Sequence, residues 1–159
     1  MLDWPEEARE YFDAGYQAQM AGRLEEAIGA YKQSIEIFPT AEAHTFLGWA
    51  YSFQGRYDDG IRECQTAIRL DPDFGNPYND IGAYLIELER LDESVEWFEK
   101  AKRAKRYEPR HYPHFNLSRV YVKQGKIYEA IRELQAALGL EPEYTAARRE
   151  LHRLVGMLN

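Results

Sequence analysis

The feature that most constrains this chain is a spacing. Gly15, Gly22 and Pro39 recur as Gly48, Gly55 and Pro72, each pair 33 residues apart. The frame continues with a 34-residue step from Gly48 to Gly82 and a 36-residue step from Gly82 to Ser118, and it closes at Pro142. A fixed period of this length marks a stacked array, because a unit so short cannot bury its apolar side alone and must lean on its neighbours. Four such units cover about residues 8 to 142.

Each unit reads as one helix ending and another beginning. The turn segments align as Gly22-Arg-Leu-Glu-Glu-Ala27, Gly55-Arg-Tyr-Asp-Asp-Gly60, Glu89-Arg-Leu-Asp-Glu-Ser94 and Gly125-Lys-Ile-Tyr-Glu-Ala130. Glycine suits the left-handed position just past a helix C-terminus, since it has no Cβ to clash, and the acids that follow sit favourably in the first turn of the next helix. Glu89 takes that place in the third unit and predicts a small backbone cost there. Pro39, Pro72 and Pro142 end the second helix of their units, because proline lacks the amide hydrogen and crowds the preceding turn.

Within the hairpins, apolar and small residues fall at helical spacing, as in Leu47, Gly48 and Tyr51 of a first helix and Ile61, Cys64, Ala67 and Ile68 of a second. Gly15, Gly48, Gly82 and Ser118 on first helices, with Ala27, Gly60, Ser94 and Ala130 on second helices, are expected to let paired helices approach closely.

This array resembles the tetratricopeptide repeat, whose pattern sets a large residue, a Leu-Gly-like pair, a Tyr-like residue, Ala, an aromatic, Ala and Pro at fixed offsets. Repeat one supplies Tyr11, Ala14, Gly15, Ala18, Ala27, Tyr31, Ser34 and Pro39, and repeat two His44, Leu47, Gly48, Tyr51, Gly60, Cys64, Ala67 and Pro72. Repeat three supplies Tyr78, Ile81, Gly82, Leu85, Ser94, Phe98 and Ala101, and repeat four His114, Leu117, Ser118, Tyr121, Ala130, Leu134, Ala137 and Pro142. The resemblance implies an all-α fold, a right-handed superhelical solenoid of antiparallel helix hairpins. It also implies a single domain over 1–159 with repeats at about 8–40, 41–74, 75–110 and 111–144. In repeat three the second helix reads as running on through Lys100 to Arg106, two residues longer than a 34-residue unit, and predicts a bend or widening of the stack. After Pro142, about residues 143–158 carry helical periodicity through Ala147, Leu151, Leu154, Val155 and Leu158 without a partner helix, which reads as a C-terminal cap.

Composition narrows the role. The formal net charge of −7 opposes binding to a polyanion, so nucleic acid and anionic membrane surfaces are disfavoured as partners. One cysteine, Cys64, cannot form an internal disulfide, and the start Met1-Leu2-Asp3-Trp4-Pro5 offers neither a basic segment nor an apolar run for a leader. No apolar stretch reaches the roughly 20 residues needed to cross a bilayer. A cytoplasmic protein is expected.

In the resembled family the first helix of each repeat lines a concave groove that holds peptides. Its groove offsets fall here on Arg9, Phe12, Tyr16, Gln19 and Met20, then Glu42, Thr45, Trp49, Ser52 and Phe53. They continue at Asn76, Asn79, Ala83, Ile86 and Glu87, then at Tyr112, Phe115, Arg119, Val122 and Lys123, with Asn116 close by. From these, Phe12, Tyr16, Met20, Trp49, Phe53, Asn76, Asn79, Tyr112, Phe115, Asn116, Arg119 and Lys123 form the candidate peptide-binding set. Aromatics and Met supply anchors, and Asn pairs with an extended backbone. An aromatic at helical spacing is also the ordinary mark of packing between helices, which is the competing reading of Phe12, Trp49 and Phe53. Some members of the family grip a chaperone's C-terminal carboxylate with a basic clamp, and this chain lacks it. Phe12 and Tyr16 occupy the first pair of clamp positions, Phe46 the second-repeat position, and Asn76 and Asp80 the basic positions of the third. The aromatic half with Arg119 and Lys123 instead suggests an extended peptide with apolar anchors at one end and an acid at the other.

No constellation supports catalysis. His111 and His114 lie three apart without a cysteine or a placed carboxylate, so neither a metal nor a cofactor is expected, and His114 aligns with the packing position of Tyr11, His44 and Tyr78. The acidic pairs Glu25-Glu26, Asp58-Asp59 and Asp92-Glu93 recur at helix starts and reflect helix electrostatics. The run Lys100 to Arg106 reads as a solvated face of the long helix. There is no phosphate loop, serine elbow or metalloprotease helix. The expected role is a non-catalytic adaptor or assembly scaffold for a protein or peptide. Self-association into a homo-oligomeric scaffold is one alternative, and a small-ligand or metal-binding accessory domain using Trp49, His111 and His114 is another.

Overall fold

The computed structural model describes residues 3–159; the reading of the N-terminal start as leaderless rests partly on Met1 and Leu2, which lie outside the described residues. Among the described residues nine helices follow one another: α1 Glu6–Met20, α2 Leu24–Ile37, α3 Ala41–Phe53, α4 Tyr57–Leu70, α5 Asn76–Glu87, α6 Leu91–Arg103, α7 His111–Lys123, α8 Ile127–Leu140 and α9 Thr145–Met157. They pair as the antiparallel hairpins α1/α2, α3/α4, α5/α6 and α7/α8, and each second helix packs on the first helix of the next hairpin. The first helices also touch one another in the order α1, α3, α5, α7, which lines them along the inner side of a right-handed superhelical solenoid. Among the described residues no helix is long and apolar enough to cross a membrane.

The hairpin turns repeat at atomic level. Gly22, Gly55 and Gly125 hold φ of 79°, 74° and 76°, and Glu89 holds the same left-handed turn at φ 60°. In all four, the residue after the turn donates its amide five residues back, as Arg23 to Ala18 (2.8 Å), Arg56 to Tyr51 (3.0 Å), Arg90 to Leu85 (2.8 Å) and Lys126 to Tyr121 (2.7 Å). This is the Schellman closure, which satisfies carbonyls that the helix end leaves open. The arginine after the turn then pairs with the acid three residues on, in Arg23–Glu26 (2.7 Å) and Arg56–Asp59 (2.8 Å), so those acids serve an ion pair as well as the helix start.

Packing inside each hairpin is a trade of volumes. Tyr31, Cys64, Phe98 and Leu134 occupy one register position on successive second helices and are all 0% exposed. Where this residue is aromatic the facing first helix has no side chain: a Cβ on Gly15 would lie 2.7 Å from the Tyr31 ring, and one on Gly82 would lie 2.6 Å from Phe98. Where it is Cys64, the helices close on each other directly, and a Cβ on Gly48 would lie 2.8 Å from the Gly60 carbonyl oxygen. Such interdigitation resists even a one-methyl change. The histidine position inside the hairpin is a second constant: His44 and His114 donate Nδ1–H to Glu63 and Glu133 (both 2.7 Å), and Tyr78 packs on Trp97 at the same offset.

Repeat three departs from expectation. Its second helix stops at Arg103, and residues 104–110 fold back as a loop. The reason is tertiary. Arg106 donates its amide to the Asp73 carbonyl (2.9 Å), its carbonyl accepts from Gly75 (2.9 Å), and its guanidinium pairs with Asp71 and with Glu42 (3.2 Å) over the Phe74 ring. The run Lys100 to Arg106 is therefore largely engaged, not a solvated helical face: Lys100 sits 4.5 Å from the Trp97 ring centre, and Lys102 bridges Glu99 (3.0 Å) and Glu133 (2.8 Å). Burial pushes Glu133 upward, but the bonds from His114 and Lys102 outweigh it and hold its carboxyl below the usual range.

Past Pro142, α9 packs Ala147 and Leu154 into the core of α8, with Leu151 beside them.

Candidate functional site

The inner row of first helices leaves a recess of about 470 Å³ in mid-groove. Tyr16 reaches it from α1, Thr45, Phe46 and Trp49 from α3, Asn76, Asn79 and Asp80 from α5, and Tyr112 from α7. The remaining wall is the loop that replaces the expected end of α6, which supplies Tyr107 and Pro109. The loop holds tightly because a Cβ on Gly75 would lie 2.4 Å from the Tyr107 Cβ, so only glycine permits that seat. The two-residue lengthening of repeat three thus closes one side of the groove.

The aromatic half is a connected chain of edge-to-face and tilted contacts. Trp4 meets Phe12 (5.2 Å between ring centres), Phe12 meets Phe46 (5.1 Å), Phe46 meets Trp49 (5.8 Å) and Trp49 meets Phe53 (5.3 Å). Tyr16 joins at Phe46 (6.0 Å). These geometries suit the ring quadrupoles and hold the walls in place without a ligand. The polar half is a hydrogen-bonded ladder. Asn116 donates to the Asn79 side-chain oxygen (3.1 Å), and Arg119 donates to the Asn116 oxygen (3.2 Å) while lying 3.9 Å from Glu87.

Asp80 is partly buried in the recess, and burial pushes its carboxyl up to about 7. No ion pair or side-chain hydrogen bond involves it among the described residues. Its charge is felt by the neighbouring phenols: burial first, then Asp80, pushes Tyr84 and Tyr107 upward.

Of the residues expected from the sequence, Tyr16, Trp49, Asn76, Asn79 and Tyr112 come together around this recess. Phe12 packs against Phe46 and Tyr31 beside the first hairpin's core. Met20 and Phe53 end α1 and α3 and are 51% and 57% exposed, and Lys123 ends α7, also exposed. Phe115 packs on Tyr144 (5.1 Å), and Asn116 and Arg119 form the ladder. Two groove offsets are corrected: Gln19 is buried and accepts from the Tyr31 hydroxyl (2.7 Å), and Ile86 is buried in the core with Phe98 and Leu117. Phe46, Asp80, Tyr107 and Pro109 line the recess but stood outside the expected set. The first two had been marked only as departures from a carboxylate clamp. Tyr107 and Pro109 were hidden by the reading of a longer helix, although Pro109 two residues past the run was the available signal. His111 lies against Tyr112 (4.4 Å) and Tyr144 (4.7 Å), and His114 is held by Glu133, so the two serve separate contacts.

The tetratricopeptide repeat family model matches residues 41–74, and a second model of the same description matches 76–107 and 112–144. Small glutamine-rich tetratricopeptide repeat-containing protein 2 of Mycosarcoma maydis is 32% identical over 87 residues, which is 54% of this chain and 25% of that protein. This chain therefore spans about a quarter of the length of that curated relative. Among solved structures, pilF of Pseudomonas aeruginosa superposes with a TM-score of 0.89 at 22% identity over 96% of this chain and 69% of its own. PilW, described as a widely conserved type IV pilus biogenesis factor, gives 0.86 at 20% identity over 96% and 70%. At these identities the structural matches speak to fold.

Proposed function

Because the chain belongs to the tetratricopeptide repeat family, and its repeats make it a scaffold for protein–protein interaction, we propose that it works by holding an extended segment of another protein in its concave groove. The observation that carries this reading is the recess between α1, α3, α5, α7 and the 104–110 loop, with fixed aromatic walls on one side and an Asn79–Asn116–Arg119 ladder on the other. Rigid aromatics supply contact area at low entropic cost, and amide side chains pair with a peptide backbone. The role is non-catalytic and needs no cofactor. A cytoplasmic setting belongs to the same proposal.

The test is capture from an extract of the source organism on immobilised protein, comparing wild type with a folded Trp49→Ala, Arg119→Glu variant. A protein retained by the first and lost by the second supports the groove. Equal retention by both moves binding to another face. Self-association is the second reading, favoured by Val155, Met157 and Leu158, which are 43%, 59% and 45% exposed at the end of the terminal helix. Light scattering over a hundredfold concentration range decides it: a constant monomer mass removes it.

A further inference from the structure

Among the described residues, Asp80 is the one charged side chain lining the recess. The nearby cations are engaged elsewhere: Arg119 with Asn116 and Glu87, Arg106 with Asp71 and Glu42, and Arg110 with the backbone carbonyls of Lys102 and Lys105. The rings of Tyr16, Phe46, Trp49, Tyr107 and Tyr112 line the same recess. Aromatic faces carry negative quadrupole potential and attract a cation, and a carboxylate behind them adds full charge. Other occupants fit worse. An apolar side chain would cover Asp80 without giving it a partner, at the cost of a desolvated charge, and an acidic one would be repelled.

We propose, resting on the reading that the groove holds a segment of another protein, that the recess receives a lysine or arginine side chain of that segment, with the cationic end on the Asp80 carboxylate and the alkyl stem along the Trp49 and Phe46 walls. The volume of about 470 Å³ accommodates such a side chain. The site thereby sets specificity: a basic residue is read in mid-groove. Binding also couples to pH. Only the ionised carboxylate attracts the cation, and burial raises the empty site's carboxyl from 3.8 toward about 7, so affinity rises with pH up to neutrality and levels off above it. The other titratable groups facing Asp80 are the Cys64 thiol on α4 and the phenols of Tyr16, Tyr84, Tyr107 and Tyr112. Burial pushes Cys64, Tyr84 and Tyr107 upward, so they stay neutral through this range.

The direct test uses Nα-acetyl-arginine amide and Nα-acetyl-lysine amide as probes, with the norleucine and glutamate analogues as controls, titrated at pH 8 into ¹⁵N-labelled protein. The Trp49 indole and the Asn79 and Asp80 amides report the recess, and the Trp97 indole on another face is the internal reference. The basic probes should shift the recess signals saturably at millimolar concentration, with norleucine about tenfold weaker and glutamate without effect. Asp80→Asn should bring arginine down to the norleucine level and abolish the pH dependence, while Asp80→Glu keeps the preference. Equal binding of arginine and norleucine, or an unchanged arginine affinity in Asp80→Asn, overturns the proposal. A display library of random decapeptides separates this from the groove reading. Peptides selected in a Trp49-dependent way but without enriched Lys or Arg would leave the groove reading standing and overturn the basic-residue site.

Discussion

Replacing Asp80 by Asn should stabilise the free protein, and the gain should grow with pH in a defined window. The carboxyl is pushed from 3.8 to about 7 by burial, so the folded state holds its proton more tightly than the unfolded chain. Below pH 3.8 both states are protonated and the residue contributes nothing to the pH dependence. Between there and about 7 the unfolded chain ionises while the folded site does not, and stability falls as pH rises. Above about 7 the full penalty applies. At about 1.4 kcal/mol per unit the shift corresponds to an upper bound of about 4 kcal/mol. Asp80 faces an open recess, so water screens its charge and lowers the shift and the penalty together: a penalty of about 1–2 kcal/mol is the reasonable expectation, with the folded carboxyl titrating between 3.8 and about 7. For a chain of this size that is a rise of about 3–6 °C in the midpoint of Asp80→Asn at pH 8. The assay is thermal and urea unfolding followed by circular dichroism for wild type and variant, from pH 4 to pH 8.5. The two should converge near pH 4 and separate through neutrality. A gap that does not change with pH, or a wild type more stable than Asp80→Asn at pH 8, would refute the reasoning.

Glu89→Gly should raise stability by about 1 kcal/mol, since φ 60° is a left-handed turn that glycine adopts freely and other residues do not, and urea midpoints would show it. Gly82→Ala should cost at least about 2 kcal/mol because its Cβ would lie 2.6 Å from the Phe98 ring. Phe98→Leu in the same chain should recover part of that loss, and a fully additive double mutant would contradict the packing account. Glu133→Gln should cost about 2–3 kcal/mol, because the carboxylate, its side chain 16% exposed, holds both His114 and Lys102. A change below about 0.5 kcal/mol would mean that neither bond stabilises the fourth hairpin.

Almost everything that defines the hairpins was legible in the sequence, because it depends on neighbours within one repeat. Gly22, Gly55 and Gly125 mark left-handed turns whatever surrounds them, and Gly15, Gly48 and Gly82 announce close approach because no other residue leaves that space. The recess was legible only in part, because it depends on contacts between repeats. Lys100 to Arg106 has good helix propensity at every position, and nothing local stops it before Pro109. What stops α6 at Arg103 is the capture of Arg106 by Glu42, Asp71 and Asp73 of the preceding repeat and by Gly75 at the start of its own. That capture swings Tyr107 onto Gly75 and Pro109 into the groove, so one tertiary contact both ends a helix and builds a wall of the site. In the sequence Asp80 stands only as a departure from a carboxylate clamp, for a related reason. Its residue type says only that it is acidic, whereas its significance comes from α1, α3 and α7 bringing aromatic rings and no cation to meet it. The same long-range origin makes the recess separable from the fold. The hairpins should keep their glycine and Schellman chemistry when Arg106 or Asp80 is changed, while the shape and charge of the groove should change with them.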